Sequence, residues 1–128
     1  VSALRRAASN VALHPVITRP GYLFACAVGV VWGALWSTGT MRRSHGLVVF
    51  TGLPVWAFSR GGSCVGTSYL TGTNVSERVL EHEAVHKRQW RRYGMWFPFV
   101  YTAAGRDPLR NRFEIEAGLE KGGYLRGH

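Results

Sequence analysis

The chain has 128 residues, enough for one domain around one core. Apolar residues make up 46% and charged residues 18%, a balance that excludes an intrinsically disordered chain. Sixteen basic against seven acidic residues give a formal charge of +9. That charge suits an anionic partner, whether nucleic acid, lipid surface or acidic peptide, but also a soluble protein of high isoelectric point with no such partner.

Cys26 and Cys64 are the only cysteines, too few for a cysteine-rich metal site. Cys26 sits in an apolar run and reads as a small buried hydrophobe, so a reducing compartment without a disulfide is expected. Arg5 and Arg6 precede that run, but Pro15, Arg19 and Pro20 interrupt any secretory pattern. These features predict a cytoplasmic protein, with association at a membrane as its variant.

In chain order, residues 1–13 read as a short helix with Leu4, Ala7, Ala8 and Val11 on one face. His14-Pro15 and Arg19-Pro20-Gly21 read as breakers. Residues 21–41 carry no charge. They read either as a buried or surface-docked helix or as a short membrane span with Tyr22, Trp32 and Trp36 near the interfaces. Leu47–Phe50, Leu53–Phe58 and Cys64–Leu70 read as three strands, probed by turn signals at Thr51-Gly52 and Ser59–Ser63. Ser76 is the expected N-cap of a helix that runs to Tyr93 and stops at Gly94. Met95–Ala104 is an aromatic apolar run broken by Pro98. A last helix is expected over 109–121, ended by Gly122-Gly123, before the tail 124–128.

The predicted fold class is α+β. A small antiparallel sheet of about three strands packs on the Ser76–Tyr93 helix and a C-terminal glutamate helix, with N-terminal helices ahead of both. One domain, 1–128, is expected: an N-terminal helical region over 1–46, the sheet over 47–74, and the site helices with the tail over 75–128.

The helix after Ser76 contains His82-Glu83-Ala84-Val85-His86, a His-Glu-x-x-His motif. Residues four apart share a helix face, so the two imidazoles can grip one metal ion, and Glu83 stands near enough to act on a water there. Val79, His82, His86, Trp90 and Tyr93 fall on one stripe, while Lys87, Arg88 and Arg91 point away. Histidines on an apolar stripe need partners, and a metal satisfies both. A catalytic zinc usually has three protein ligands. In the last helix Arg112, Glu116 and Glu120 form a charged stripe that reads as a solvated face with an Arg112–Glu116 pair. Glu114 lies on the opposite, apolar side beside Phe113, Ile115 and Ala117. Glu114 is therefore the expected third ligand of one zinc ion (Zn2+), ahead of Glu116, His14, His45 and His128.

These residues resemble the gluzincin metallopeptidases, and the small scale with strand-then-helix order is similar to the minimal gluzincins. Glu114-Ile-Glu-Ala117 is also similar to the ligand helix of membrane-linked zinc peptidases. The resemblance covers residues 47–123. It implies His82, His86 and Glu114 as zinc ligands, Glu83 as general base in peptide-bond hydrolysis, and a peptide or protein substrate. It also implies an edge strand that pairs with extended substrate, for which Cys64, Val65, Gly66, Thr67, Ser68 and Tyr69 are the candidates. The membrane-linked relatives carry an acid four residues after the ligand Glu, where this chain has Gly118. Self-inhibition by a terminal segment is a theme of the minimal gluzincins, and the Gly-rich tail is the candidate here. For an oxyanion donor, Tyr93, Tyr101 and Tyr124 stand level.

The other functional expectation is a non-catalytic, zinc-stabilised module that docks on an anionic surface. Lys87, Arg88, Arg91 and Arg92 cluster after the motif, as a solvated helix end or as phosphate ligands. No nucleic-acid-binding signature accompanies them, so a lipid surface ranks above nucleic acid. No obligate protein partner is inferred.

Overall fold

A computed structural model describes residues 2–59, 61–119 and 121. Helix α1 spans Ser2–Ala12 and α2 spans Pro15–Trp36. Only the first predicted breaker separates helices. The His14 ring accepts a hydrogen bond from the Val16 amide at 3.2 Å, and Pro15 occupies the first turn, where a missing N–H costs nothing. Pro20 stays inside α2. It forfeits one bond, to the Val16 carbonyl, which the tertiary contacts of α2 offset.

Those contacts are made by small residues. Gly21, Ala25, Gly29 and Gly33 recur every fourth position and so line one face of α2. A β-carbon at Gly29 would stand 2.6 Å from the Val65 carbonyl oxygen, and one at Gly33 would strike the Phe50 ring. The large apolar side chains of α2, including Leu23, Phe24, Val31 and Leu35, face outward. By length and composition α2 is able to cross a membrane.

The sheet has four strands, β1 (Met41–Ser44), β2 (Leu47–Phe50), β3 (Ser63–Val65) and β4 (Ser68–Leu70), in the order β1-β2-β4-β3. The α+β class stands, but the sheet is mixed: β2 and β4 run parallel, while β1–β2 and β3–β4 are antiparallel. The extra strand, β1, comes from the end of the uncharged run and its two arginines. His45 and Gly46 turn it back, both at positive φ (54° and 77°), the geometry of a two-residue hairpin loop whose twist matches the strands. Leu53–Phe58 is not a strand. Gly52, at φ 73°, bends the chain away, Pro54 offers no ladder donor, and Val55–Ala57 closes as a 3-10 turn. Cys64–Leu70 folds on itself at Gly66-Thr67, with Gly66 at φ 61°. A β-carbon at Gly66 would strike the Cys26 backbone, so this tip sits directly against α2.

Strand alternation sorts the core into two faces. Leu47, Val49 and Tyr69 pack with Val79 and Leu80 of α3 (Glu77–Tyr93). Phe50 and Leu70 pack with Leu53 and Ala57 on the other face, where Phe50 meets α2 at Gly33. A third cluster, Ala25, Trp90, Phe97 and Phe113, joins α2 and α3 to α4 (Phe97–Ala103) and α5 (Arg112–Ala117).

α3 has the predicted bounds. Ser76 Oγ accepts from the Val79 amide at 3.3 Å, and Gly94, at φ 59°, ends the helix against the Thr18 backbone. Pro98 does not break α4; it lies in its first turn. α5 is shorter than the predicted 109–121. The Asn111 side chain caps it by accepting from the Phe113 and Glu114 amides, and Gly118, at φ 101°, ends it. Glu120, Gly122-Gly123 and the tail with Tyr124 and His128 lie outside the described residues.

Candidate metal centre

α3 places His82 and His86 one turn apart on its buried face, and α5 brings Glu114 against them. All three side chains are buried. Glu114 Oε1 lies 3.0 Å from Nε2 of His82 and 3.0 Å from Nε2 of His86, and the two Nε2 atoms are 3.1 Å apart. Three ligand atoms therefore converge on one point, a group able to hold a metal ion.

The far ring nitrogens decide whether that point suits a cation. His82 Nδ1 donates to the Gly118 carbonyl oxygen at 2.7 Å. His86 Nδ1 faces Gln89 Oε1 at 2.7 Å. The Gln89 amide is oriented by its other end, where Nε2 donates to the Phe113 carbonyl at 3.0 Å and to Glu116 Oε1 at 2.7 Å. With both Nδ1 atoms donating to carbonyl oxygens, each neutral ring leaves a bare lone pair on Nε2. Two lone pairs and a carboxylate oxygen then meet at about 3 Å, an arrangement that repels itself unless a cation or shared protons sit among them. The donor set fits a metal.

Gly118, which offers no acidic side chain, thus still supplies an orienting group. Its backbone carbonyl orients His82 directly. Gln89 performs the same task for His86, and Glu116 holds Gln89 rather than a ligand site. Arg112, the predicted partner of Glu116, lies with its guanidinium 4.4 Å from the Phe113 ring centre. Sequence reasoning passed over Gln89, although it sits three residues after His86 on the same helix face.

The charges of the site follow from burial and neighbours. Without a metal, protons shared among these atoms take the cation's place: burial opposes ionisation of Glu114, but hydrogen bonds from His82 and His86 outweigh it and hold the carboxyl well below its usual range. Tyr101 adds a hydrogen bond from its hydroxyl to Glu114 Oε2. Burial alone would lower His86; the bond to Glu114 and the Glu83 and Glu114 charges raise it instead. Glu83, also buried, is pushed up to about 7, by burial first, against the pull of the two imidazoles.

Glu83, His86 and Glu114 form one wall of a cleft of about 370 Å³, whose other walls include Cys64, Phe97 and Tyr101. The predicted substrate stretch divides here. Ser63–Val65 is a sheet edge, and Ser63 and Cys64 line the cleft. Ser68 and Tyr69 belong to the inner strand β4, buried and paired on both sides, and Gly66 and Thr67 form the hairpin tip, so none of these four offers a free edge. The Cys64 carbonyl is taken by Trp90 Nε1 at 2.9 Å, which fixes β3 to α3. Burial raises the Cys64 thiol well above its ordinary value.

The remaining candidates lie elsewhere. His14 caps α2, and His45 turns the β1–β2 hairpin, 3.9 Å from Glu77. Tyr93 packs edge-on against Phe113, with centres 5.6 Å apart. Of the basic cluster, Arg88, Arg91 and Arg92 are exposed, while Lys87 donates to the Gly46 carbonyl and pins the hairpin to α3.

Gln89→Ala removes the acceptor that holds the His86 ring and leaves the Phe113 carbonyl without its side-chain donor. Metal affinity should fall about 10–100-fold with the ligands themselves intact, as measured by competition with a chromogenic chelator. Unchanged affinity would show that Gln89 does not orient His86.

Comparison with protein-family models, with curated proteins and with solved structures finds no match to this chain, so its site is read from its own residues.

Proposed function

We propose that the chain is a zinc-dependent peptidase of the gluzincin kind, with His82, His86 and Glu114 as ligands and Glu83 as general base. The observation that carries this reading is the convergence of two tautomer-fixed imidazoles and one carboxylate beside a buried glutamate, at the wall of a cleft. Two nitrogens and one carboxylate oxygen are a donor set that zinc favours in catalytic sites. Zinc held there supplies Lewis acidity toward a carbonyl and lowers the pKa of water.

The chain's own groups do the rest. Glu83 takes the proton of the attacking water on its carboxylate and returns it to the leaving amine. Burial raises its proton affinity and a dication at the ligands would lower it, opposing effects that suit a carboxylate which takes up a proton and gives it back. Tyr101 and the Nδ1 partners hold the three ligand side chains in place. Ser63 and Cys64 of the edge strand line the cleft, where an extended peptide would pair with edge backbone groups other than the Cys64 carbonyl, which Trp90 occupies.

The test begins with metal analysis of the purified chain, which should give one zinc per chain. A degenerate peptide library should then be cleaved, with cleavage lost on chelation and restored by zinc. A chain without stoichiometric zinc overturns the reading. Zinc without cleavage of any peptide leaves the metal as a structural staple, in a module that docks on an anionic surface.

A further inference from the structure

The outward face of α2 has no role in the metal site. Leu23 and Phe24 are each 59% exposed, Val31 58% and Leu35 65%. The inward face is already filled by the Gly21, Ala25, Gly29 and Gly33 stripe, whose close approach to the sheet and to Met95 leaves no room for those large side chains. Between Arg19 and Arg42 no residue is charged, so the outward face of α2 is uncharged from Pro20 to its end at Trp36. Water is a poor solvent for such a face.

Three observations identify what covers it. First, α2 has 22 residues and is therefore about 33 Å long, and exposed arginines stand beyond both ends of its apolar part: Arg5, Arg6 and Arg19 on one side, Arg42 and Arg43 on the other. Second, aromatic side chains gather at both ends. Trp32, Trp36 and Trp56 pack edge to face with centres 4.8–6.2 Å apart, and Trp96 and Phe99 are exposed next to Gly94, which abuts Thr18. Indole rings and arginines flanking an apolar surface suit the boundary between acyl chains and anionic headgroups. Third, the charge of +9 complements such headgroups.

We propose that α2 seats its outward face in the surface of a bilayer containing anionic lipid, lying in the plane of the membrane rather than across it. The sheet packed on its other side decides the orientation. Strands β1 and β3 are sheet edges, and their open backbone groups need water or a protein partner. A spanning α2 would carry those edges into hydrocarbon; an in-plane α2 keeps them above the headgroups.

A second cleft, of about 290 Å³, runs from Val28 and Trp32 on α2 to Ser59 and Ser63, which also line the metal cleft. Ser59 and Ser63 thus form a wall shared by the cleft at the membrane-facing helix and the cleft that holds Glu83 and His86. Resting on the peptidase reading, this gives a substrate class: the extended stretch of a polypeptide where it leaves the bilayer.

The test uses the full chain, diluted from detergent onto vesicles of phosphatidylcholine with one quarter phosphatidylglycerol. The chain should float with the vesicles. Phe24→Glu and Val31→Glu, made singly, should each lower partitioning at least tenfold with zinc content unchanged, while Ile115→Glu, on α5, should not. A native chain that stays at the bottom of the gradient, or charged variants that float as the native does, overturns the proposal. A lipid-free dimer dissociated by both charged variants also overturns it, by naming a second copy as the cover. For orientation, Ser9→Cys and Arg43→Cys should both react with a maleimide that cannot cross the bilayer, measured against the native chain. Protection of either one on sealed vesicles means that α2 spans, and overturns the in-plane seating. Finally, an acyl-anchored peptide on vesicles should be cleaved at least tenfold faster than the same peptide unanchored. Equal rates overturn the substrate class. No cleavage of either removes it together with the peptidase reading, while flotation judges the seating by itself.

Discussion

On the proposed peptidase reading, replacing Glu83 by Gln should lower peptide hydrolysis by about 10²–10⁴-fold while one zinc per chain stays in place. Gln keeps the size and polarity of the side chain but cannot take up a proton. Glu83 is not among the three converging ligand atoms, so the metal site keeps its full donor set. Loss of activity with retained zinc separates proton transfer from metal binding, which His86→Ala cannot do. The pH profile adds an independent check. Burial pushes Glu83 up to about 7 in the metal-free protein, and a nearby dication pulls it down again. The rising acid limb of kcat/KM should therefore fall below pH 7 in the native chain and be missing from the residual rate of the variant. A variant with native activity would remove Glu83 from the chemistry and leave the metal as a staple.

The parts of this site that were legible in the sequence are those written in local code. The bounds of α3 rest on Ser76 and Gly94, each acting on its own helix end. Glu114 was singled out by helical phase alone, because α5, although half its predicted length, keeps the same register around that residue. The orienting groups were illegible for different reasons. The acceptor for His82 is the backbone of Gly118, and a carbonyl belongs to every residue, so no side chain announces it. Gln89 bears an informative side chain, but its value depends on the Phe113 carbonyl and Glu116, which only the docking of α5 on α3 brings near.

The sheet was harder to read than the helices. The β-rich composition of Leu47–Phe50 marks a strand there, as found, yet its pairing with β4 is parallel, and that depends on how the chain crosses from Phe50 to Ser68. Pro54 and Gly66 were visible as residues, but their consequences, a 3-10 turn and a hairpin tip, arise from what each meets. The same holds for α2. Its small residues, scattered through an apolar run, are its contact surface. Reading a helix by its large residues would have placed the wrong face inside.

Stripping the metal should invert the pH dependence of stability, and this is the second large effect. In the metal-free protein, Glu83 at about 7 lies above its ordinary 4.5, so between those values the unfolded chain has released a proton that the fold still holds. Stability falls as pH rises through that window, by on the order of 3 kcal/mol. His86, also raised, acts in the same direction: what it contributes is present at low pH and lost as pH rises through its folded value. Glu114, lowered, contributes stability that is present above 4.5 and lost as pH falls through its folded value. The metal-free fold should therefore be most stable near pH 5. Zinc reverses the preference, since it binds the deprotonated ligands and adds about 4 kcal/mol at a thousandfold excess over its Kd. Chelation at pH 7.5 should then lower the melting temperature by about 10–20 °C, with a much smaller loss at pH 5. Glu83→Gln sharpens the test, because in the metal-free state it should raise stability at pH 8 and leave it nearly unchanged at pH 5. A melting temperature indifferent to chelation at both pH values would mean that no metal holds His82, His86 and Glu114 together.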